Sequence, residues 1–234
     1  MRVGHRIIIT IDGPAGSGKS TLGRRLAQTL GYRYVDSGAL YRAVAWQARQ
    51  TGVDPADGEA LARMLLDFAP LVVAEAQGFQ VFVEGRDITR ELRTPAVTQA
   101  SSRAATQPQV RRWVGEVLHR LTREGGVVAE GRDLGSVVFP NAEVKFYLDA
   151  DLAIRAARRQ QEWQNGGRTL ELSGTLKEIA DRDNRDQNRK LAPLTLPQGA
   201  HYVNTTNLNP EEVLAHCLAI IRESLTAGAA TGRK

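Results

Sequence analysis

One α/β domain, a five-stranded parallel sheet flanked by helices, is what this sequence predicts, and three observations predict it. Short β-branched runs alternate with amphipathic helical stretches, the pattern of parallel strands joined by right-handed crossovers. A glycine-rich turn, Gly13 to Thr21, directly follows the first of those runs. The chain has 234 residues, 42% apolar and 24% charged, which suits one domain with inserted lobes better than two independent ones.

The elements follow in order. Arg6 to Ile11 is a β-branched run ended by Asp12-Gly13-Pro14, so a buried parallel strand is expected. Leu22, Leu26 and Leu30 then recur every four residues with Ala27 beside them, a helix packed on one face and stopped by Gly31. A second strand is expected over Tyr32 to Val35, and a helix over Ser37 to Gln50 with Leu40, Ala43, Val44 and Gln47 on one side. The pattern then breaks. Leu71 to Ala74 and Phe79 to Glu84 flank Gln77-Gly78 and read as a hairpin, an antiparallel insert in a parallel fold. A helix from Pro108 should bury Val110, Val114, Val117, Leu118 and Leu121. Core strands follow over Gly126 to Glu130 and Val144 to Leu148. The arginine-rich stretch Asp151 to Leu191 is broken by a flexible tip at Asn165-Gly166-Gly167. His201 to Asn204 is the last strand. Asn209-Pro210-Glu211-Glu212 opens the last helix as a capping box, with Val213, Leu214, Cys217, Ile220 and Ile221 as its buried stripe. The tail Ala227 to Lys234 is expected to be disordered.

Bulk chemistry narrows the setting. The one cysteine, Cys217, excludes an internal disulfide framework and fits a reducing cytoplasm. Ile7 to Ile11 is too short for a membrane span and lacks a cleavage site, so no signal peptide is expected. A formal charge of +5 points to an anionic partner, whether nucleic acid, membrane or phosphorylated small molecule.

Gly13-Pro14-Ala15-Gly16-Ser17-Gly18-Lys19-Ser20 matches G-x-x-x-x-G-K-[ST], with Thr21 next, and it has the required strand before and helix after. Glycines let backbone N–H groups converge on phosphate oxygens, and the helix N-terminus adds partial positive charge. Lys19 is placed to reach the β- and γ-phosphates of ATP, and the Ser20 hydroxyl to ligate Mg²⁺. The guanine-reading Asn-Lys-x-Asp of GTPases is absent, as is the Asp-Glu pair of motor ATPases.

The arginines supply the second half of the site. Arg182, Arg185, Asp186 and Arg189 are spaced i, i+3, i+4 and i+7, which would put all four on one helix face. Three guanidiniums with one carboxylate cannot neutralise one another, and arginine forks onto phosphate oxygens. The plain alternative is a solvated face held by an Arg182–Asp186 pair. Arg155, Arg158 and Arg159 repeat the spacing one helix earlier and suggest a flap that excludes water from phosphoryl transfer. Spacing does not choose among them; Arg158 is assigned to the donor nucleotide. Asp36 to Arg42 occupies a crevice position after the second strand. There Ser37 can cap the helix, Tyr41 offers a flat face to a base or ribose, and Arg42 can meet an acceptor phosphate.

Together, the P-loop, Asp36 to Arg42, Gly131-Arg132-Asp133 and the run from Arg182 to Arg189 resemble bacterial cytidylate kinases, over about residues 7 to 205. The resemblance implies a nucleoside monophosphate kinase fold. Its core would be about 1–36, 105–150 and 186–234, its monophosphate-binding lobe about 37–104, and its flexible lid about 151–185. It implies that Ser37, Ser102, Arg111 and Asp133 hold cytosine. Arg42, Arg132 and Arg182 would surround the acceptor phosphate, with Asp186 and Arg189 near the ribose and the transferred phosphate. Ser20 departs from family members with glycine there, and a hydroxyl is the better Mg²⁺ ligand. The chemistry of Asp133 agrees, since a carboxylate accepts from the cytosine amine and repels the uracil oxygen; the alternative role is ordering Mg²⁺. The second Glu-Gly-Arg-Asp, at 130–133, aligns with the site, while the first, at 84–87, reads as a turn.

The implied reaction is phosphoryl transfer from ATP to CMP or dCMP, by a cytoplasmic monomer with neither nucleic acid nor membrane as partner. Beside it stand a kinase for UMP, AMP or shikimate, and a nucleic-acid-binding ATPase. The last expects aromatics interleaved with basic residues, and only 6% of this chain is aromatic.

Overall fold

The computed structural model describes residues 6–165 and 171–231. Its first half runs β1 (Ile8–Asp12), α1 (Lys19–Leu30), β2 (Arg33–Asp36), α2 (Ser37–Gln50), α3 (Gly58–Asp67), β3 (Leu71–Ala74), β4 (Phe79–Val83), β5 (Arg86–Asp87) and α4 (Pro95–Ala104). The second half runs α5 (Pro108–Thr122), β6 (Val127–Glu130), β7 (Val144–Asp149), α6 (Leu152–Asn165), α7 (Leu172–Asn188), β8 (His201–Asn204) and α8 (Pro210–Thr231).

Among the described residues, five strands form one sheet in the order β2-β6-β1-β7-β8, and every pairing is parallel. Helices cover both faces, which is why Ile9, Ile11, Val127 and Val128 have no solvent exposure. The register matters more for function than the order. Glu130 pairs with Ile11 on one side and Asp36 on the other, so Asp12, Asp36 and Glu130 gather at the carboxyl ends of adjacent strands. That edge of a doubly wound sheet is where ligands bind.

The antiparallel strands β3, β4 and β5 form a second sheet, and its third strand was not foreseen. Glu84 and Gly85 both have positive φ, at 52° and 79°, and link Val83 to Arg86 as a two-residue hairpin turn. The turn expected of the first Glu-Gly-Arg-Asp is thus its Glu84-Gly85 half, while Arg86 and Asp87 form β5.

Several boundaries move. The second strand starts and ends one residue later than expected, because the Tyr32 N–H closes α1 on Ala27 O at 2.9 Å and Arg33 begins the pairing with Gly126. Gly126 itself has φ 64° and stays outside β6. The capping role expected of Ser37 belongs to Asp36, whose Oδ1 accepts the Ala39 N–H at 2.9 Å. Helices α3 and α4 were not foreseen at all. In α8 the capping box forms, with Asn209 Oδ1 accepting from Glu211 and Glu212 N–H at 3.0 Å and Glu212 Oε2 accepting from Asn209 N–H at 2.8 Å. The expected disordered tail is corrected as far as Thr231, since α8 continues through the helix-favouring alanines. Residues 232–234 and the glycines at 166–167 lie outside the described residues.

Candidate active site

A cleft of about 1000 Å³ opens at the carboxyl edge of the sheet. Among the described residues lining it, nine are Lys or Arg and five are Asp or Glu, so its surplus charge is positive. One wall is the P-loop. Gly13 leaves β1 with φ 145°, and Gly18 at φ 94° is the N-cap of α1, which makes Lys19 the first helical residue. The Lys19 ammonium is buried and donates to Pro14 O at 2.6 Å. Burial, and next the Arg132 guanidinium, push its pKa down to about 7.

Around Lys19 stand the strand-end carboxylates. Asp12 accepts the N–H groups of Leu134 at 2.9 Å and Gly135 at 2.7 Å, and burial still raises its pKa to about 6. Glu130 is also pushed up by burial, and it takes hydrogen bonds from the Tyr34 and Ser20 hydroxyls. Asp36 caps α2 and holds Arg42 at 2.9 Å; burial alone would raise its pKa, but Arg42 and Arg93 outweigh it and lower it.

Opposite the P-loop, Arg132 donates from Nε to Asp186 at 2.9 Å. Burial opposes the charge of Asp186, yet Arg132 and Arg182 hold its carboxyl below the usual range. Arg182 is pressed down to about 10 by burial and by Arg132, and its Nε has no hydrogen-bond partner among the described residues. A guanidinium whose buried Nε lacks an acceptor, beside two other cations, is poised for an anion. At the far end, Asp133 is 3% exposed. One of its oxygens is ion-paired with Arg111, and the other accepts from Arg189 at 3.0 Å. Arg111 also lies over the Tyr41 ring, 5.8 Å from its centroid.

A family model described as Cytidylate kinase matches residues 9–223. This chain belongs to the cytidylate kinase family. It is similar to a cytidylate kinase of Geobacillus thermodenitrificans, 43% identical over 221 residues that make up 94% of this chain and 99% of that one. It is likewise similar to a cytidylate kinase of Aliivibrio salmonicida, 40% identical with 94% and 99% covered. A bifunctional pantoate ligase/cytidylate kinase of Synechococcus elongatus is 44% identical over 225 residues, 94% of this chain but 43% of that protein. The chain therefore spans less than half the length of that bifunctional relative.

In this cytidylate kinase family member, Gly16, Gly18, Lys19, Ser20, Thr21, Ser37, Tyr41 and Arg42 line one cleft with Ser102, Arg132, Asp133, Arg182, Asp186 and Arg189. Arg111 reaches it through Asp133. Arg158 is turned elsewhere: its guanidinium donates to Thr205 Oγ1 at 2.9 Å and to Thr205 O at 2.7 Å. Of Arg155, Arg158 and Arg159, the one lining the cleft is Arg159, 5.1 Å from the Trp163 ring centroid and 3.0 Å from Glu162. The single helix face expected for Arg182 to Arg189 is also corrected. Helix α7 ends at Asn188, and Arg189 joins the site from extended backbone. Asp186 turns to Arg132, so the alternative of a solvated Arg182–Asp186 pair is not what forms, and Arg185 is exposed, donating to Ser102 Oγ at 3.3 Å.

Sequence reading assigned no role in or beside this site to Asp12, Asp36, Glu130, Arg90 or Arg93. Asp12, Asp36 and Glu130 each end a core strand, and that position was the available signal. Arg90 and Arg93 follow β5 and line the cleft from the inserted sheet's side. No local pattern marks them.

Proposed function

We propose that this chain transfers the γ-phosphoryl group of ATP to CMP or dCMP, giving ADP and CDP or dCDP. Membership of a kinase family implies ATP as donor, and the relatives' names supply the acceptor. The observation that carries the reading is Asp133 held beside Arg111 in the same cleft as Lys19. A carboxylate next to a guanidinium offers an acceptor beside donors. Cytosine presents the complementary pair, an amine donor at N4 beside an acceptor at N3, whereas uracil presents both reversed. A buried mismatch of this kind costs about 1–3 kcal/mol.

On this reading the P-loop N–H groups and Lys19 hold the β- and γ-phosphates, Arg42, Arg132 and Arg182 hold the acceptor phosphate in line, and Asp186 and Arg189 lie near the ribose and the transferred phosphate. Phosphoryl transfer passes through a loose transition state whose charge spreads over the equatorial oxygens, so positioning and cationic stabilisation suffice without a strong base. The Ser20 hydroxyl and the Glu130 carboxylate are hard oxygen donors beside Lys19. Mg²⁺ is held by one or two such groups plus phosphate oxygens, and so fits. Bound there, it would neutralise negative charge on the donor's phosphates. Among the described residues no cluster of three or more His, Cys, Asp or Glu could cage a metal unaided.

The same reading has the enzyme acting on nucleotides alone, as a cytoplasmic monomer without nucleic-acid or membrane partners. No described helix is long and apolar enough to cross a membrane. An acceptor panel of CMP, dCMP, UMP and AMP with ATP tests the proposal. CMP and dCMP should be turned over far better than the others. Preference for UMP or AMP, or no turnover at all, overturns it.

A further inference from the structure

Two buried residues that the site above does not use are both committed to the phosphate loop. Asp183, on α7, is 7% exposed, and Arg155, on α6, is 8% exposed. Asp183 Oδ1 accepts the N–H of Ala15 at 3.2 Å, and its other oxygen is ion-paired with Arg155. Arg155 donates from Nε to Ala150 O at 2.8 Å and from a terminal nitrogen to Ala15 O at 3.1 Å. Both backbone polar groups of one P-loop residue are therefore gripped from two helices of the arginine-rich segment. Gly16 makes the approach possible, because a Cβ there would lie 2.7 Å from the Arg155 carbonyl oxygen.

A buried ion pair contributes little net stability, since desolvation offsets its attraction. Its hydrogen bonds are directional, however, and they fix register. What they fix here is α7. Arg182, Asp183 and Asp186 lie on one side of that helix, at i, i+1 and i+4. With Asp183 fastened to the loop, Arg182 sits near enough to Lys19 and Arg132 to lower the pKa of Lys19, and Asp186 orients Arg132 at 2.9 Å.

We propose that Asp183, through its pairing with Arg155, is a positioning residue for phosphoryl transfer. It holds α7 in register with the P-loop, so that Arg182 and Arg132 keep the acceptor phosphate in line with the transferred one. It touches no substrate itself. This inference rests on the kinase reading above, and catalysis by positioning is steep: an error of about 1 Å can cost about 100-fold.

The test is Asp183→Asn, which keeps an oxygen for the Ala15 N–H but removes the charge facing Arg155. Its steady-state kinetics with ATP and CMP should show kcat down about 10- to 100-fold. CMP affinity by calorimetry should fall by less than kcat, because Arg42 and the Asp133–Arg111 pair, which also face CMP, are not carried by α7. The double variant Asp183→Asn/Arg155→Gln should be no slower than the single one, as expected of residues acting as a unit. Should Asp183→Asn fail to fold, that double variant, which leaves no unpaired buried charge, carries the test, with the same drop in kcat expected. A kcat within about twofold of wild type, additive losses, or a loss of CMP affinity matching the loss of kcat would each overturn the proposal. Wild-type protein that phosphorylates no nucleoside monophosphate overturns the kinase reading instead, and needs no variant to detect.

Discussion

The carboxylate of Asp12 accepts the N–H of Gly135 at 2.7 Å across 123 positions of sequence. Its other oxygen takes the N–H of Leu134 at 2.9 Å. The phosphate loop begins one residue after Asp12, and Asp133 stands one residue before Leu134. One buried carboxylate thus joins the two halves of the cleft through the backbone. Asp12→Asn would turn an amide N–H toward one of those backbone donors and leave it unpaired, which costs about 1–3 kcal/mol. Urea unfolding of wild type and variant measures this. The pH dependence gives a second check. Burial raises the Asp12 pKa from 3.8 to about 6. The group's stabilising contribution is therefore full below the unfolded value and is lost as pH rises through 6. The variant should lack that downward slope, and equal slopes would show that Asp12 does not titrate this way.

Asp133 is flanked by Arg111 and Arg189, which decides the variant best suited to test it. Asp133→Ala would leave two buried guanidiniums without their partner and confound specificity with folding. Asp133→Asn keeps the shape and one acceptor oxygen while offering a donor to uracil. The ratio of kcat/KM for CMP over UMP should fall about 10- to 100-fold. An unchanged ratio in the folded variant would remove Asp133 from the base pocket.

The sequence made legible whatever is local. The strand before the glycine loop, α2 from Ser37 to Gln50, the strand His201–Asn204 and the capping box of α8 all declare themselves within 14 residues or fewer. Helix α3 carried a usable signal that was passed over, since Asp57 caps it by accepting from Glu59 and Ala60 at 3.0 Å. Asp12 and Asp183 are a different case. Their partners lie 122 and 168 positions away, and no periodicity encodes such a pairing. Arg158 illustrates the opposite error. Spacing put it on a face with Arg155, but tertiary contacts gave one arginine to the P-loop backbone and the other to Thr205.

Lys19 should register nucleotide binding as a protonation event. Burial, then Arg132, lower its pKa from 10.5 to about 7, so at pH 8 it is largely neutral. A triphosphate beside it favours the charged form, and binding at pH 8 should take up about one proton. At pH 6 the lysine is already charged and the uptake should vanish. Calorimetric titration of ATP in buffers of different ionisation enthalpy reads this directly; equal heats across buffers at pH 8 would contradict it. Lys19→Ala should abolish the uptake and lower kcat by several orders of magnitude.

Two glycines of the phosphate loop should respond differently to the same methyl group. At Gly13, with φ 145°, an added Cβ would lie 2.0 Å from the carbonyl oxygen of Leu148. That oxygen belongs to β7, which pairs with β1 through Asp12 and Tyr147, so the obstacle cannot yield without breaking the sheet register. At Gly18, with φ 94°, a Cβ meets nothing within 4 Å, and the cost is backbone strain alone, about 1–2 kcal/mol. Gly13→Ala should therefore destabilise the fold by more than about 4 kcal/mol, in the range of a disrupted core, while Gly18→Ala stays folded. Denaturant unfolding of the two variants ranks them. Similar losses would mean that left-handed backbone, and not the Leu148 carbonyl, is what demands glycine at the start of the loop.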